Sequence, residues 1–239
     1  MKIQTYYDKL NTKSQAIYTS AMLDPVLQIK VHSLANSLFK LSNCLISTHD
    51  AQIISLVCAQ LESSSLALTY GLYRPALTAL RMSFEFGMGG IYFSSNHLAY
   101  KEWQNGSKEA DMKWSMLNSP DSGVLSRRFA LAFFPALVES VEEYQNRARA
   151  TYRCLSEYVH GNSDTWKKSG MSLTYNPELV ALYTSQLEEI EEILKFAFCC
   201  RYLNELEGVK IEDAHAEIGD RFTHIEPIRT AFGGPKDIV

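Results

Sequence analysis

The sequence predicts an all-α protein, and three observations carry that prediction. Apolar residues recur at alternating steps of three and four along most of the chain, Pro25, Pro75, Pro135 and Pro177 stand where stripes begin, and no internal repeat or low-complexity tract breaks the pattern. Four or five long amphipathic helices with short connections make an antiparallel four- to five-helix bundle, with a short helical insertion and a polar C-terminal tail.

From Asp24 to about Ser47, Leu27, Val31, Leu34, Leu38, Leu41 and Leu45 form one stripe, because side chains ~100° apart return to the same face at those steps. Asp24 and Pro25 supply its cap and first-turn proline. Asp50 starts a second, antiparallel helix to about Leu72, with Ile54, Val57, Leu61 and Leu68 facing inward. A third starts after Arg74 at Pro75 and carries Leu77, Leu80, Phe84, Met88 and Ile91, with Arg81 and Glu85 one turn apart. Gly87, Gly89 and Gly90 allow another helix to approach it closely. Residues 96–122, with Trp103, Trp114 and Pro120, read as an insertion or lid of short helices joined by polar loops.

Pro135 leads a long helix to His160, with Val141, Tyr144, Ala148, Tyr152, Leu155 and Val159 along its buried stripe and Gly161 as its stop. Residues 162–175 read as a polar loop, with a short extended piece from Met171 to Tyr175. Asn176 and Pro177 start the last long helix, which runs to about Leu206 with Glu188, Glu189, Glu191 and Glu192 on its solvent side. The expected division is one bundle over residues 1–206 and a tail over 207–239, with a short helix near Asp213 to Arg221.

Composition narrows the class. Of 239 residues, 46% are hydrophobic and 21% charged, close to globular averages, so the chain can bury a core without a metal or disulfide staple. The five cysteines, Cys44, Cys58, Cys154, Cys199 and Cys200, are odd in number, lack zinc-site spacing and fall in expected helices, so they read as reduced core thiols. MKIQTYYDKLNTKSQ contains no apolar signal core, and no run reaches the ~18 apolar residues that span a bilayer. A cytoplasmic protein without membrane contact is the expectation. A net charge of −4 gives no broad electrostatic footprint for nucleic acid, so any RNA contact is local. The basic residues Arg127, Arg128, Arg147, Arg149, Arg153, Lys167 and Lys168 cluster mid-chain.

The pointed feature is YRCLSEYVHG, residues 152–161. Arg153 and His160 are seven apart, which returns to the same helix face two turns on, at the border between core and solvent. A histidine in the last turn meets the negative end of the helix dipole and exchanges protons near neutral pH, while the planar guanidinium of an arginine suits a phosphate. A proton carrier beside a phosphate clamp is the minimum for metal-free RNA cleavage by the neighbouring 2′-hydroxyl.

Arg153, six intervening residues and His160 at the end of a late helix resemble the R-x4–6-H motif of HEPN-domain ribonucleases. GLYRPALTALRMSFEF, with Arg74, Arg81 and Glu85, resembles the HEPN-like proteins of bacterial abortive infection and phage defence, so the likeness covers about residues 51–166. It implies a homodimer in which the arginines and histidines of two protomers face each other and cut single-stranded RNA without metal, leaving a cyclic phosphate. Arg153 and His160 take the catalytic roles by resemblance, with Glu157, Arg149, Arg81, Glu85 and Asn162 as supporting or substrate-binding residues. The family often has a polar residue directly after the arginine, where this chain has Cys154.

Other readings stand beside this one. Arg153 and Glu157 can form an ordinary i,i+4 ion pair, His160 can simply cap the helix, and Arg81 with Glu85 can be a buried pair that fixes register. A non-catalytic HEPN-like bundle that binds and regulates a partner protein, an antitoxin or another defence component, is the second functional reading. A small-ligand bundle using Arg81, Glu85 and the Trp103–Trp114 segment is the third. Glu157 and His160 make half of a di-iron signature with no second copy, and Asp213, His215, Glu217, His224 and Glu226 read as a solvated tail. His32, His49 and His97 find no recognisable partner in the sequence. No glycine-rich phosphate loop, GxSxG, HExxH or CxxC is present, and neither metal nor cofactor is expected.

Overall fold

The computed structural model describes residues 2–45, 48–107, 111–160, 162–169 and 173–237, and for 48–51 and 168–169 the backbone alone. The stop expected at Gly161, the side chains of His49, Asp50 and Lys168, and residues Met171 and Ser172 of the expected extended piece lie outside the described residues. Among the described residues every regular element is helical. In order they are α1 (Ile3–Leu23), α2 (Val26–Asn43), α3 (Thr48–Thr69), α4 (Tyr73–Ser95), α5 (His97–Gln104), α6 (Trp114–Leu117), α7 (Arg127–Phe133), α8 (Val141–Val159), α9 (Ser163–Ser169), α10 (Pro177–Tyr202), α11 (Val209–Ile218) and α12 (Glu226–Ala231), with 3₁₀ turns at Pro135–Leu137, Leu203–Glu205 and Gly219–Phe222.

Five long helices, α2, α3, α4, α8 and α10, enclose the core. Side-chain contacts fix their directions. Gln28 meets Thr69 and Cys58 meets the carbonyl of Ala35, so α2 and α3 run antiparallel. Ser64 donates to the Ala76 carbonyl while Ile53 lies against Gly90, which reverses the chain again between α3 and α4. Arg81 meets Tyr152 and Arg74 meets the His160 carbonyl, so α8 runs against α4. Arg147 meets Glu189 and Tyr144 meets Phe196, so α10 runs against α8. Gly87 sits under Leu194, where a Cβ would fall 2.6 Å from the leucine Cδ2. That glycine lets α4 and α10 approach as the sequence anticipates.

The turn between α3 and α4 shows how the sequence reverses the chain. The Gly71 N–H donates to the Leu68 carbonyl and the Leu72 N–H to the Ala67 carbonyl, the two bonds of a Schellman stop, with Gly71 at φ +75°. Gly71→Ala is expected to destabilise the protein by about 1–2 kcal/mol, because a side chain there meets the left-handed penalty. It also meets Ile17, whose Cδ1 lies 2.6 Å from the new Cβ position. A lower urea midpoint at unchanged slope checks this.

Four elements differ from the sequence expectation. Helix α1 stands before Asp24, where no helix is expected, because Ile17 alone of its 21 residues is buried and no apolar stripe announces it. Its seat is confined to its second half: Ser14 donates to the Tyr70 carbonyl and Tyr18 stacks on Tyr70. The long helix expected from Pro135 breaks into the Pro135–Leu137 turn and α8, and α7 precedes both. Residues 163–169, expected as loop, are helix α9.

The tail contains the helix expected near Asp213 to Arg221, as α11 and the turn after it, but it is packed on the bundle and not a solvated tail. Residues 209–231 are largely helical, and Ala214, Ile218, Phe222, Ile225 and Ile228 are buried in the main core. The ring of Phe222 meets Tyr144 and Phe196 edge-on. The apolar positions are present in sequence but sit singly among charges, in elements of ten residues or fewer, too short to establish a period.

Candidate functional site

Helix α8 carries the site. Glu142 and Glu143 occupy its first turn, where negative charge favours the helix dipole, and Val141, Tyr144, Ala148, Leu155 and Tyr158 bury its inner face. Tyr158 takes the buried place expected for Val159, which is 38% exposed. At the end of the helix the i+3 neighbour of Leu155 points inward. The helix stops at His160, whose backbone turns extended (φ −87°, ψ 167°) while its N–H still donates to the Ser156 carbonyl at 3.0 Å.

Arg149, Arg153, Glu157 and His160 are all exposed. The i,i+4 pair of Arg153 with Glu157 does not form among the described interactions, and no hydrogen bond, ion pair or ring contact engages the side chain of Arg153 or His160. Arg149 donates to Asn146 Oδ1 at 3.5 Å. Asn162 turns its Oδ1 onto the Asp164 N–H at 3.0 Å and starts α9. Arg153, Glu157 and His160 share the last two turns and one face of α8 without bonding to each other among the described residues.

Arg81 and Glu85 lie on α4, where it packs against α8. Arg81 Nη2 lies 3.1 Å from Glu85 Oε1 and also donates to the Tyr152 hydroxyl, which in turn donates to Glu85 Oε1 at 3.0 Å. The guanidinium lies 4.5 Å from the Tyr152 ring centroid, and Trp114 stacks on the same ring at 4.0 Å. Burial first, and then the Glu85 carboxylate, raise the Tyr152 hydroxyl above its ordinary pKa, so it stays a donor. The cluster locks α4, α6 and α8 together one residue before Arg153. Trp114, expected in a lid, is packed between Tyr152 and Phe84.

A second cluster, not anticipated from sequence, closes the end of α8. Arg74 donates to the His160 carbonyl at 3.1 Å and to Thr165 Oγ1 at 3.3 Å, and its guanidinium lies 4.1 Å from the centroid of the Trp166 ring. The buried Thr165 hydroxyl reaches the Glu157 carbonyl at 2.9 Å and the Asn162 carbonyl at 3.0 Å. Orphan carbonyls at a helix end need such partners. A groove of about 550 Å³ opens beside it, lined by Leu72, Arg74, Met82, Tyr158, Val159 and Trp166. The signal available in sequence was Arg74 itself, conspicuous at the start of an apolar helix.

Glu188, Glu189, Glu191 and Glu192 of α10 are also not free. Arg147 reaches Glu189 and Glu192, Arg221 reaches Glu191 and Glu192, Lys30 reaches Glu188, and the buried Lys195 ammonium lies 2.8 Å from Glu191 and 2.9 Å from the Glu217 carbonyl. These groups line a polar cavity of about 620 Å³ in which each carboxylate meets a cation. They fix the tail to the bundle. The His32 ring, without a recognisable partner in sequence, lies 2.8 Å from Glu62.

Glu217 shows the sign of this electrostatics. Burial pushes its carboxyl up, but the Lys40 ammonium at 2.7 Å and the Lys195 charge outweigh it and hold the group below the ordinary carboxylate value of 4.5. A depressed value contributes stability that is present above the unfolded value and lost as pH falls through the folded one. Replacing Lys40 with Met is therefore expected to lower the urea midpoint at neutral pH, and the gap from wild type should close as the pH falls below about 4.5. A gap that persists in acid would show that Lys40 acts through packing.

All five cysteines are free thiols, and burial raises Cys154, beside Arg153, above its ordinary value. Among the described residues no three His, Cys, Asp or Glu side chains gather to hold a metal ion, and no helix is long and apolar enough to cross a membrane. No protein family, curated protein or solved structure matches this chain.

Proposed function

We propose that this chain is a HEPN-like, metal-independent endoribonuclease that cuts single-stranded RNA as a cytoplasmic homodimer, the effector of a toxin–antitoxin or antiphage defence system. The observation that carries the reading is the state of Arg153 and His160: two turns apart at the end of α8, both exposed, neither side chain engaged by another group among the described residues. Most other arginines of the bundle, Arg74, Arg81, Arg147, Arg201 and Arg221, are committed to carboxylates, carbonyls or rings. A cation and an imidazole left to solvent on one helix face are available to a phosphodiester. His160 takes the proton of the attacking 2′-hydroxyl or returns one to the leaving oxygen, and Arg153 bears the charge that develops on the phosphate. A second protomer supplies a second pair.

The test is incubation of the purified protein with mixed single-stranded RNA in EDTA, followed by analysis of product ends. Cyclic phosphates from wild-type protein, and none from the variants argued in the Discussion, support the reading. Intact RNA at stoichiometric enzyme counts against it.

One observation favours a second reading, a non-catalytic HEPN-like bundle that binds a partner protein. Leu72, Met82, Val159 and Trp166 are exposed apolar side chains grouped on the groove beside the motif, and Cys154 follows Arg153. On that reading pure protein cuts no RNA, and changing Val159 and Met82 to polar residues releases a co-purifying partner.

A further inference from the structure

We infer that Arg74 and Thr165 are positioning residues for His160: through backbone contacts at the end of α8 they set where the imidazole stands. The inference rests on the ribonuclease reading for its catalytic consequence, but the positioning itself is a property of the fold. Its basis is the convergence of these two side chains on three carbonyls, those of Glu157, His160 and Asn162. The Arg74 guanidinium takes the His160 carbonyl, the Thr165 hydroxyl joins the Glu157 and Asn162 carbonyls, and Arg74 joins Thr165 directly. The Trp166 ring lies against the guanidinium, holding it flat.

His160 needs such a device because its own side chain has none. Its N–H still donates into α8, to Ser156, but its backbone has already left the helical region. A helix end of this kind frays unless its carbonyls are satisfied. An exposed imidazole on a frayed end samples many positions, and displacement by about 1 Å can cost on the order of a hundredfold in rate. Arg74 comes from the first turn of α4, so the imidazole is referenced to the core helix that also carries Arg81 and Glu85. Thr165 is 6% exposed, although its neighbours Asp164 and Trp166 are open to solvent. A buried hydroxyl with several partners holds one geometry.

The experiment uses Arg74→Ala, Arg74→Lys, Thr165→Val and Thr165→Ser in the full chain, with thermal melts to select folded variants. Two quantities are read: the exchange rate of the His160 amide, and kcat and KM for a single-stranded RNA. Thr165→Val and Arg74→Ala are expected to speed His160 amide exchange about tenfold or more and to lower kcat by roughly tenfold or more with KM within about twofold, while Thr165→Ser restores both. Arg74→Lys, which keeps one donor and loses the planar fork, should fall between. Unchanged amide exchange in Thr165→Val and Arg74→Ala overturns the inference, and so does a loss confined to KM. Should wild-type protein cut no RNA, the ribonuclease reading fails by itself, and the amide exchange still decides the positioning. If Arg74→Ala does not fold, Thr165→Val against Thr165→Ser carries the same decision.

Discussion

His160→Ala is expected to fold like the wild-type chain and to lose RNA cleavage by about 10²–10⁴-fold, the range over which a positioned acid–base group acts. Both halves of that expectation come from the same geometry. The imidazole is exposed and bonds to nothing among the described residues, so its removal leaves no orphaned partner there, and the change in stability should stay within about 0.5 kcal/mol. Arg153→Ala should behave alike, with a loss of about 10²–10³-fold for the missing charge stabilisation. Arg153→Lys should recover only part of it, since a point charge replaces a fork. Cleavage rates in EDTA set beside melting curves make the measurement. Variants that cut RNA within a few-fold of wild type, at equal stability, would remove Arg153 and His160 from the chemistry.

Phe196→Ala is expected to have the opposite profile, a large loss of stability. Phe196 is fully buried, its ring stacks on Tyr144 with centroids 3.6 Å apart, and Phe222 closes the group from the tail. Truncating a buried phenylalanine costs about 3–5 kcal/mol, from lost burial and from the cavity left where three segments meet. For a domain of this size that is roughly 10 °C in melting temperature. Phe196→Leu, which keeps most of the volume, should lose about half as much or less. A drop of only a degree or two on Phe196→Ala would mean that the tail collapses into the space and that the stack contributes little.

How far the sequence could be read depends on length and period. The stripes of α2, α3 and α4 run for 18 residues or more, and burial at Leu34, Leu61 and Leu80 follows their spacing. Short elements are opaque because two turns do not establish a period, so α7, α9 and α12 carry no readable signal, although a short helix near Asp213 to Arg221 is legible. α1 was opaque for another reason: a helix that buries one residue leaves almost no apolar signature. At the candidate site, Arg153, Glu157 and His160 were legible as neighbours on a helix face. The hold on His160 was not, because Arg74 and Thr165 reach it from 86 and 5 positions away and bond to a backbone carbonyl and its flank, which no side-chain pattern encodes. Glu188, Glu189, Glu191 and Glu192 do lie toward the solvent side as expected, but their ion pairs were not legible, since the partners Lys30, Arg147 and Arg221 belong to distant segments.

The Phe222 wedge bears on how the chain is made. Phe196 leaves the ribosome 26 residues ahead of Phe222 and 32 ahead of Ile228, so until they follow the nascent bundle carries an open apolar seam along α8 and α10. The interval is short, seconds at ordinary translation speed, but over it the chain has the surface of an aggregation-prone intermediate. A product terminated after Leu206 would keep that seam permanently. It would contain all of α8 with Arg153 and His160, yet it would go to chaperones and proteases rather than to a folded population.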